Sequence, residues 1–125
     1  PSVTCWGSGN ALREFMHVDD LADAIIFSLE NWHPDSWDSP RDIKSDPLLH
    51  LNVGTGKEIS IKKLAEKISK ITKFQGEIIW DKSKPDGTPR KLLDISRINK
   101  LGWEAKINLD NGIKETIDLL ENVNL

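Results

Sequence analysis

An α/β fold is what this sequence predicts. Short β-rich runs at Val3–Trp6, Leu49–Val53 and Glu77–Trp80 interleave with helical stretches whose apolar residues recur every three or four positions. The strand-like runs are few and short. Leu49–Val53 lies far in sequence from any neighbour it could pair with, so the sheet reads as part of a larger one.

The elements follow in order. Val3-Thr4-Cys5-Trp6 is a strand with Val3 and Cys5 on one face, and Gly7-Ser8-Gly9-Asn10 breaks it. Arg13 to Met16 is short and extended. Asp19 or Asp20 caps a helix, because a carboxylate accepts free amides and suits the positive helix end. Leu21, Ala22, Ile25, Ile26 and Leu29 make its apolar stripe. Residues 32–47 carry Pro34, Pro40 and Pro47 with Trp32 and Trp37 among polar residues, and show no period. This reads as a surface excursion pinned by one tryptophan. Leu49, Leu51 and Val53 alternate with His50 and Asn52, a strand pattern that Gly54-Thr55-Gly56 ends. Ser60 caps a helix bearing Ile61, Leu64, Ala65, Ile68 and Ile71, with lysines on its other face. Glu77–Trp80 is a strand. A short helix runs from about Ser96 to Leu101 and stops at Gly102. Asp110 opens a last helix with Ile113, Ile117 and Leu120 inward.

Composition bounds the function. The chain has 125 residues, 38% hydrophobic and 30% charged, which suits one globular domain. A formal net charge of −3 argues against general nucleic-acid binding, which needs a basic face. No apolar run is long enough to span a bilayer. The lone Cys5 has no internal disulfide partner, which points to a reducing, cytoplasmic setting.

The richest motif is Lys84-Pro85-Asp86-Gly87-Thr88-Pro89-Arg90-Lys91, a stiff loop that ends on adjacent cations. Arg13 supplies another cation just after the glycine turn. Paired loops that deliver Arg and Lys beside an aromatic surface suit a diphosphate ester. Trp6, at a strand end, can stack on a base or sugar. Other motifs carry less. Gly7-Ser8-Gly9 lacks the third glycine and the following helix of a dinucleotide fingerprint. Gly54-Thr55-Gly56-Lys57 has Glu58 where a phosphate loop needs Ser or Thr, so a close backbone approach is its better use. His17 beside Asp19 and Asp20 fits capping and packing better than a metal, and nothing sets Ser8 on a nucleophile elbow with them. Lys62, Lys63, Lys67, Lys70 and Lys73 read as a solvated helix face. Trp80 and Trp103 read as core.

Taken together, these residues resemble a family. Trp6-Gly7-Ser8-Gly9 followed by Arg13-Glu14-Phe15-Met16-His17-Val18-Asp19-Asp20-Leu21-Ala22 resembles the extended short-chain dehydrogenases that act on nucleotide sugars. Asn52-Val53-Gly54-Thr55-Gly56 resembles the last sheet strand of that superfamily. Pro85 to Asp94 is similar to the GDP-L-fucose synthase family, whose members epimerise and reduce a GDP-4-keto-6-deoxy sugar with NADPH. The resemblance covers nearly the whole chain, with Ala11 standing where the family carries proline.

It implies a C-terminal portion: the end of the Rossmann sheet with a substrate loop in residues 1–57, and a small substrate-binding domain in 58–125. It implies substrate contacts at Trp6, Arg13, Asp86 and Lys91, with Arg13 facing the diphosphate and Asp86 and Lys91 closing over the nucleotide. NADP and the Ser/Tyr/Lys catalytic set would belong to the dinucleotide-binding part; this chain contains no tyrosine. On this view the chain is the GDP-sugar-binding portion of its parent; alone it is inactive, binds weakly at most, and self-associates through faces left uncovered. A different nucleotide-sugar epimerase or dehydratase, and a non-catalytic nucleotide-sugar-binding module, are the competing expectations.

Overall fold

The computed structural model describes residues 1–122. Strands β1 (Ser2–Trp6), β2 (Leu12–Glu14), β3 (Glu58–Ser60), β4 (Glu77–Asp81) and β5 (Arg90–Lys91) alternate with helices α1 (Val18–Asn31), α2 (Ile61–Ile71), α3 (Ser96–Leu101) and α4 (Leu109–Asn122). β1 and β4 form a parallel pair with Cys5 opposite Trp80. β2 is the centre of a second sheet, antiparallel to β3 and parallel to β5. Residues before and after position 57 therefore share both sheets.

Local chemistry explains most boundaries. Ser60 accepts the Lys63 amide at 3.2 Å and starts α2, as expected. Val3 and Cys5 face α2 across an apolar cleft shared with Ala65, Ile68 and Ile78. The N-cap of α1 is His17, whose Nδ1 accepts the Asp19 amide at 3.3 Å; the expected carboxylate cap is corrected. Asp20 is drawn elsewhere. It is only 3% exposed, and its two oxygens accept the backbone N–H groups of Lys106 and Ile107 at 3.0 and 2.9 Å. A carboxylate that satisfies buried amides at long range outcompetes local capping, because orphaned buried donors are costly.

The core gathers Ala24, Ile98 and Trp103, with Met16, Phe27, Leu51 and Val53 against them. The Trp103 indole N–H donates to Asp23 at 2.8 Å. That bond, then the Lys106 ammonium, holds the Asp23 carboxyl below the usual carboxylate range. Trp80 is partly buried and its ring backs Gly9.

Further corrections concern the middle of the chain. The face of α1 that meets the core is Asp20, Ala24 and Phe27, while Leu21, Ile25, Ile26 and Leu29 are exposed, Leu29 at 78%. Helical spacing identifies a stripe but not which of two faces the core takes. Residues 49–53 form no strand; they run without ladder partners among the described residues, while Leu51 and Val53 pack on the core. Their alternation is real, but a strand needs a neighbour. The 32–47 excursion closes on itself through the Arg41–Pro47 bridge and the buried Ser39, with Trp37 89% exposed. Trp32 is the partly buried tryptophan of the segment. On α4, Leu120 is exposed whereas Ile113 and Ile117 are partly buried.

Asp20→Ala should cost about 3 kcal/mol, since it strips the partners from two amides. Urea denaturation measures this, and a loss within about 0.5 kcal/mol, the range of ordinary surface substitutions, would contradict the role.

Candidate functional site

The site is built where the ends of β1 and β2 meet the loop between β4 and β5. After β1, the Gly7 amide donates to the Asp81 carbonyl at 2.9 Å, so the strands leave the sheet together. The β4 end then curls: Asp81 accepts the Ser83 amide and hydroxyl at 3.0 and 2.6 Å. This turn sets the Lys84 ammonium 5.5 Å from the centre of the Trp6 ring. The indole itself is 72% exposed at the strand end.

Arg13 and Lys91 are register partners across the parallel β2–β5 pair. Residues directly opposite each other project to the same face, so the two side chains leave the sheet on one side. Neither forms an ion pair among the described residues. Arg13 donates to the Leu12 carbonyl at 2.6 Å, and its guanidinium lies 3.2 Å from where a side chain on Gly87 would begin. A side chain at 87 would press on the guanidinium, which would have to shift by a few tenths of an ångström. Arg90, by contrast, is spent. It pairs with Glu58 at 2.7 Å, and that bond pushes its already high pKa further up.

Asp86 comes to the site with its carboxylate engaged. One oxygen accepts the Ser8 amide at 2.7 Å and the other the Ser8 hydroxyl at 2.6 Å. The hydroxyl bond first, then the amide bond, hold the Asp86 carboxyl below the usual carboxylate range. All four residues expected at the site are thus gathered on or against the 84–91 loop: Trp6 under Lys84, Arg13 against Gly87, Asp86 on Ser8, and Lys91 opposite Arg13.

Sequence reasoning missed the residue that sets this arrangement. Glu14 accepts the amides of Thr55 and Gly56 at 2.6 Å each, and that of Leu93 at 3.2 Å. It ties β2 to the glycine turn and to the exit of β5. A side chain on Gly54 would meet this carboxylate at 2.6 Å, which is the close approach expected there. The available signal was an acid in a strand beside Arg13 with no basic residue at pairing distance in sequence. The sequence reading also gave no part to the Ser8 contact with Asp86 or to the Lys84 contact with Trp6.

Neither glycine turn suits a dinucleotide. Gly7–Gly9 leads into β2 and Gly54–Gly56 into β3, so neither opens a helix whose amides could hold a pyrophosphate. The lysine-rich face of α2 borders a groove of about 1030 Å3 against α4, but acids share it, and Lys67 pairs with Asp110 at 2.6 Å. Mixed charge there matches a solvated face. The described residues contain no group of three or more His, Cys, Asp or Glu placed to hold a metal, and no helix long and apolar enough to cross a membrane.

Comparison with known proteins shows what the chain is similar to. Residues 1–43 match the NAD dependent epimerase/dehydratase family. A protein of Oryza sativa subsp. japonica named Probable GDP-L-fucose synthase 1 is 48% identical over 122 residues, 97% of this chain and 33% of that protein. A GDP-6-OMe-4-keto-L-xylo-heptose reductase from C. jejuni superimposes with a TM-score of 0.88 at 41% identity, over 98% of this chain and 34% of that one. A GDP-mannoheptose C4 reductase from Campylobacter jejuni, solved with NADP bound, gives 0.77 at 38% identity, over 97% of this chain and 35% of that one. The chain spans about a third of the length of these relatives. Its fold is the C-terminal part of an extended short-chain dehydrogenase. Within that class its sequence is similar to proteins named GDP-L-fucose synthase, over about a third of their length.

Proposed function

We propose that this chain is the GDP-sugar-binding portion of an NADP-dependent epimerase/reductase that makes GDP-L-fucose. The observation that carries this reading is the pairing of Arg13 with Lys91 across β2 and β5, both outside any ion pair among the described residues. Cations at paired strand positions suit the paired negative charges of a diphosphate, with the Arg fork and the Lys point charge dividing the oxygens. The exposed Trp6 indole offers a flat surface for the nucleotide or sugar. Asp86 and Lys91 bring the small domain's loop over that ligand. NADP belongs, on this reading, to the dinucleotide-binding portion that the longer relatives carry. The catalytic acid belongs there too, since no tyrosine occurs here. The lone Cys5 fits a cytoplasmic setting.

Arg13→Ala should weaken GDP-sugar binding by about 1.5–3 kcal/mol in the protein that carries this chain with its dinucleotide-binding portion. Calorimetry decides it: unchanged affinity would reduce Arg13 to a structural residue.

The 125-residue chain by itself should not oxidise NADPH in the presence of the keto-sugar. Turnover above a no-protein control contradicts the division of labour proposed here.

The uncovered stripe of α1 should drive self-association of the isolated chain through Ile25, Ile26 and Leu29, or by exchange of β1. Light scattering across a dilution series should show a dimer that Ile26→Glu dissociates. A stable wild-type monomer at micromolar concentration, by contrast, favours an independent nucleotide-sugar-binding module.

A further inference from the structure

We propose that Ser8 is a positioning residue for the sugar-nucleotide site: it latches the middle of the 82–89 loop to the end of β1 through Asp86. The inference rests on the diphosphate reading of Arg13 and Lys91, and adds what holds their loop in place.

The latch is a built feature. Both Ser8 donors are used on one carboxylate, amide to one oxygen at 2.7 Å and hydroxyl to the other at 2.6 Å, across 78 residues of sequence. The Ser8 hydroxyl oxygen also accepts the Asn10 amide at 3.2 Å, which orients its proton toward Asp86. Glycines on either side hold the turn, with φ of +81° at Gly7 and +75° at Gly9. A side chain on Gly7 would strike the Asp86 carboxylate, and one on Gly9 would meet the Trp80 ring at 2.6 Å. The turn thus accommodates the carboxylate on one side and the ring on the other.

The rest of the loop is tied only at its ends. Lys84 donates its amide to the Asp81 carbonyl at 3.2 Å, and Leu12 donates to the Pro89 carbonyl at 2.8 Å. Between them, residues 85–88 are held by the two bonds from Ser8 to Asp86, with a smaller contribution from the Gly9 amide. Without them the loop tip is free to leave Gly7. With it go the Gly87 wall behind Arg13 and the anchorage of Lys84 above Trp6. Ser8 therefore acts on the ligand through Asp86 and the loop.

The charge state matters. The bonds from Ser8 favour ionised Asp86, so the latch is intact above the ordinary carboxylate range and is lost as pH falls through the lowered folded value.

Nuclear magnetic resonance on the 125-residue chain tests this with Ser8→Ala, Ser8→Thr and Asp86→Asn. It reads backbone order parameters at residues 86–88 and the Asp86 carboxyl titration; binding of GDP as probe is read on the protein that carries this chain with its dinucleotide-binding portion. Ser8→Ala removes the hydroxyl bond and keeps the backbone amide bond, so it should lower the loop order parameters measurably below wild type without freeing the loop outright. It should move the Asp86 titration upward toward the ordinary range and weaken GDP about tenfold. Asp86→Asn should loosen the loop in the same way, and Ser8→Thr, which keeps the hydroxyl, should preserve the wild-type behaviour. An unchanged loop and titration in Ser8→Ala overturns the latch. A loosened loop with unchanged GDP affinity overturns the positioning role, even where Arg13→Ala weakens GDP. If the protein that carries this chain with its dinucleotide-binding portion takes up no GDP while Ser8→Ala still loosens the loop, the diphosphate reading fails and the latch stands as a loop tether alone.

Discussion

The Glu14 carboxylate is the constraint on which the site depends. It sits on the central strand of the three-stranded sheet and gathers amides from two separate segments, at Thr55–Gly56 and at Leu93. Those bonds fix where β5 leaves the sheet, and β5 carries Lys91. Arg13 precedes Glu14 on the same strand, so its own position follows from the same anchor. Anionic acceptors make stronger hydrogen bonds than neutral ones, and three amides on one carboxylate give the small sheet a rigidity its short strands cannot supply.

A division of labour among the charges follows. Glu14 and Asp20 are spent on backbone amides, Asp86 on Ser8, and Glu58 on Arg90. These acids are committed to structure, which leaves the Arg13–Lys91 pair without a counter-charge from the described residues. The like charges repel across adjacent strands, a cost carried by the surrounding anchors. An anion bound between them relieves that repulsion. The same arrangement that makes the sheet firm makes its cationic face receptive.

Much of this was legible in the sequence, for reasons tied to particular residues. Ser60 capped its helix because a cap acts within four residues, and local chemistry decided it. The 84–91 loop and Arg13 stood out because prolines, glycine and cations are local signals. Long-range uses of polar groups were not legible. Asp20 looks like a cap until the 106–107 segment is placed against it, and Glu14 looks like any strand acid until three distant amides arrive. The α1 stripe misled for a related reason. Its apolar residues were correctly placed on one face, but Asp20, Ala24 and Phe27 won the core because Trp103 and Asp23 meet there. The 49–53 alternation was likewise real, and failed as a strand only for want of a neighbour.

These two departures share a cause. The uncovered α1 stripe and the unpaired 49–53 run both belong to the stretch between β2 and β3, whereas the cations and Trp6 belong to segments that pair among themselves. Sheet pairing satisfies the binding loops internally through β1–β4 and β2–β5. The intervening stretch instead presents apolar side chains outward at Leu21, Ile25, Ile26, Leu29 and Leu49, and leaves the 49–53 backbone without ladder partners among the described residues. Such surfaces gain most from a sheet and apolar cover supplied by other residues. The relatives are about three times as long as this chain, so they have residues to supply that cover. Because α1 follows directly from the Arg13–Glu14 strand, whatever covers α1 is joined to the strand that carries Arg13 by a few residues, next to the Glu14 anchor.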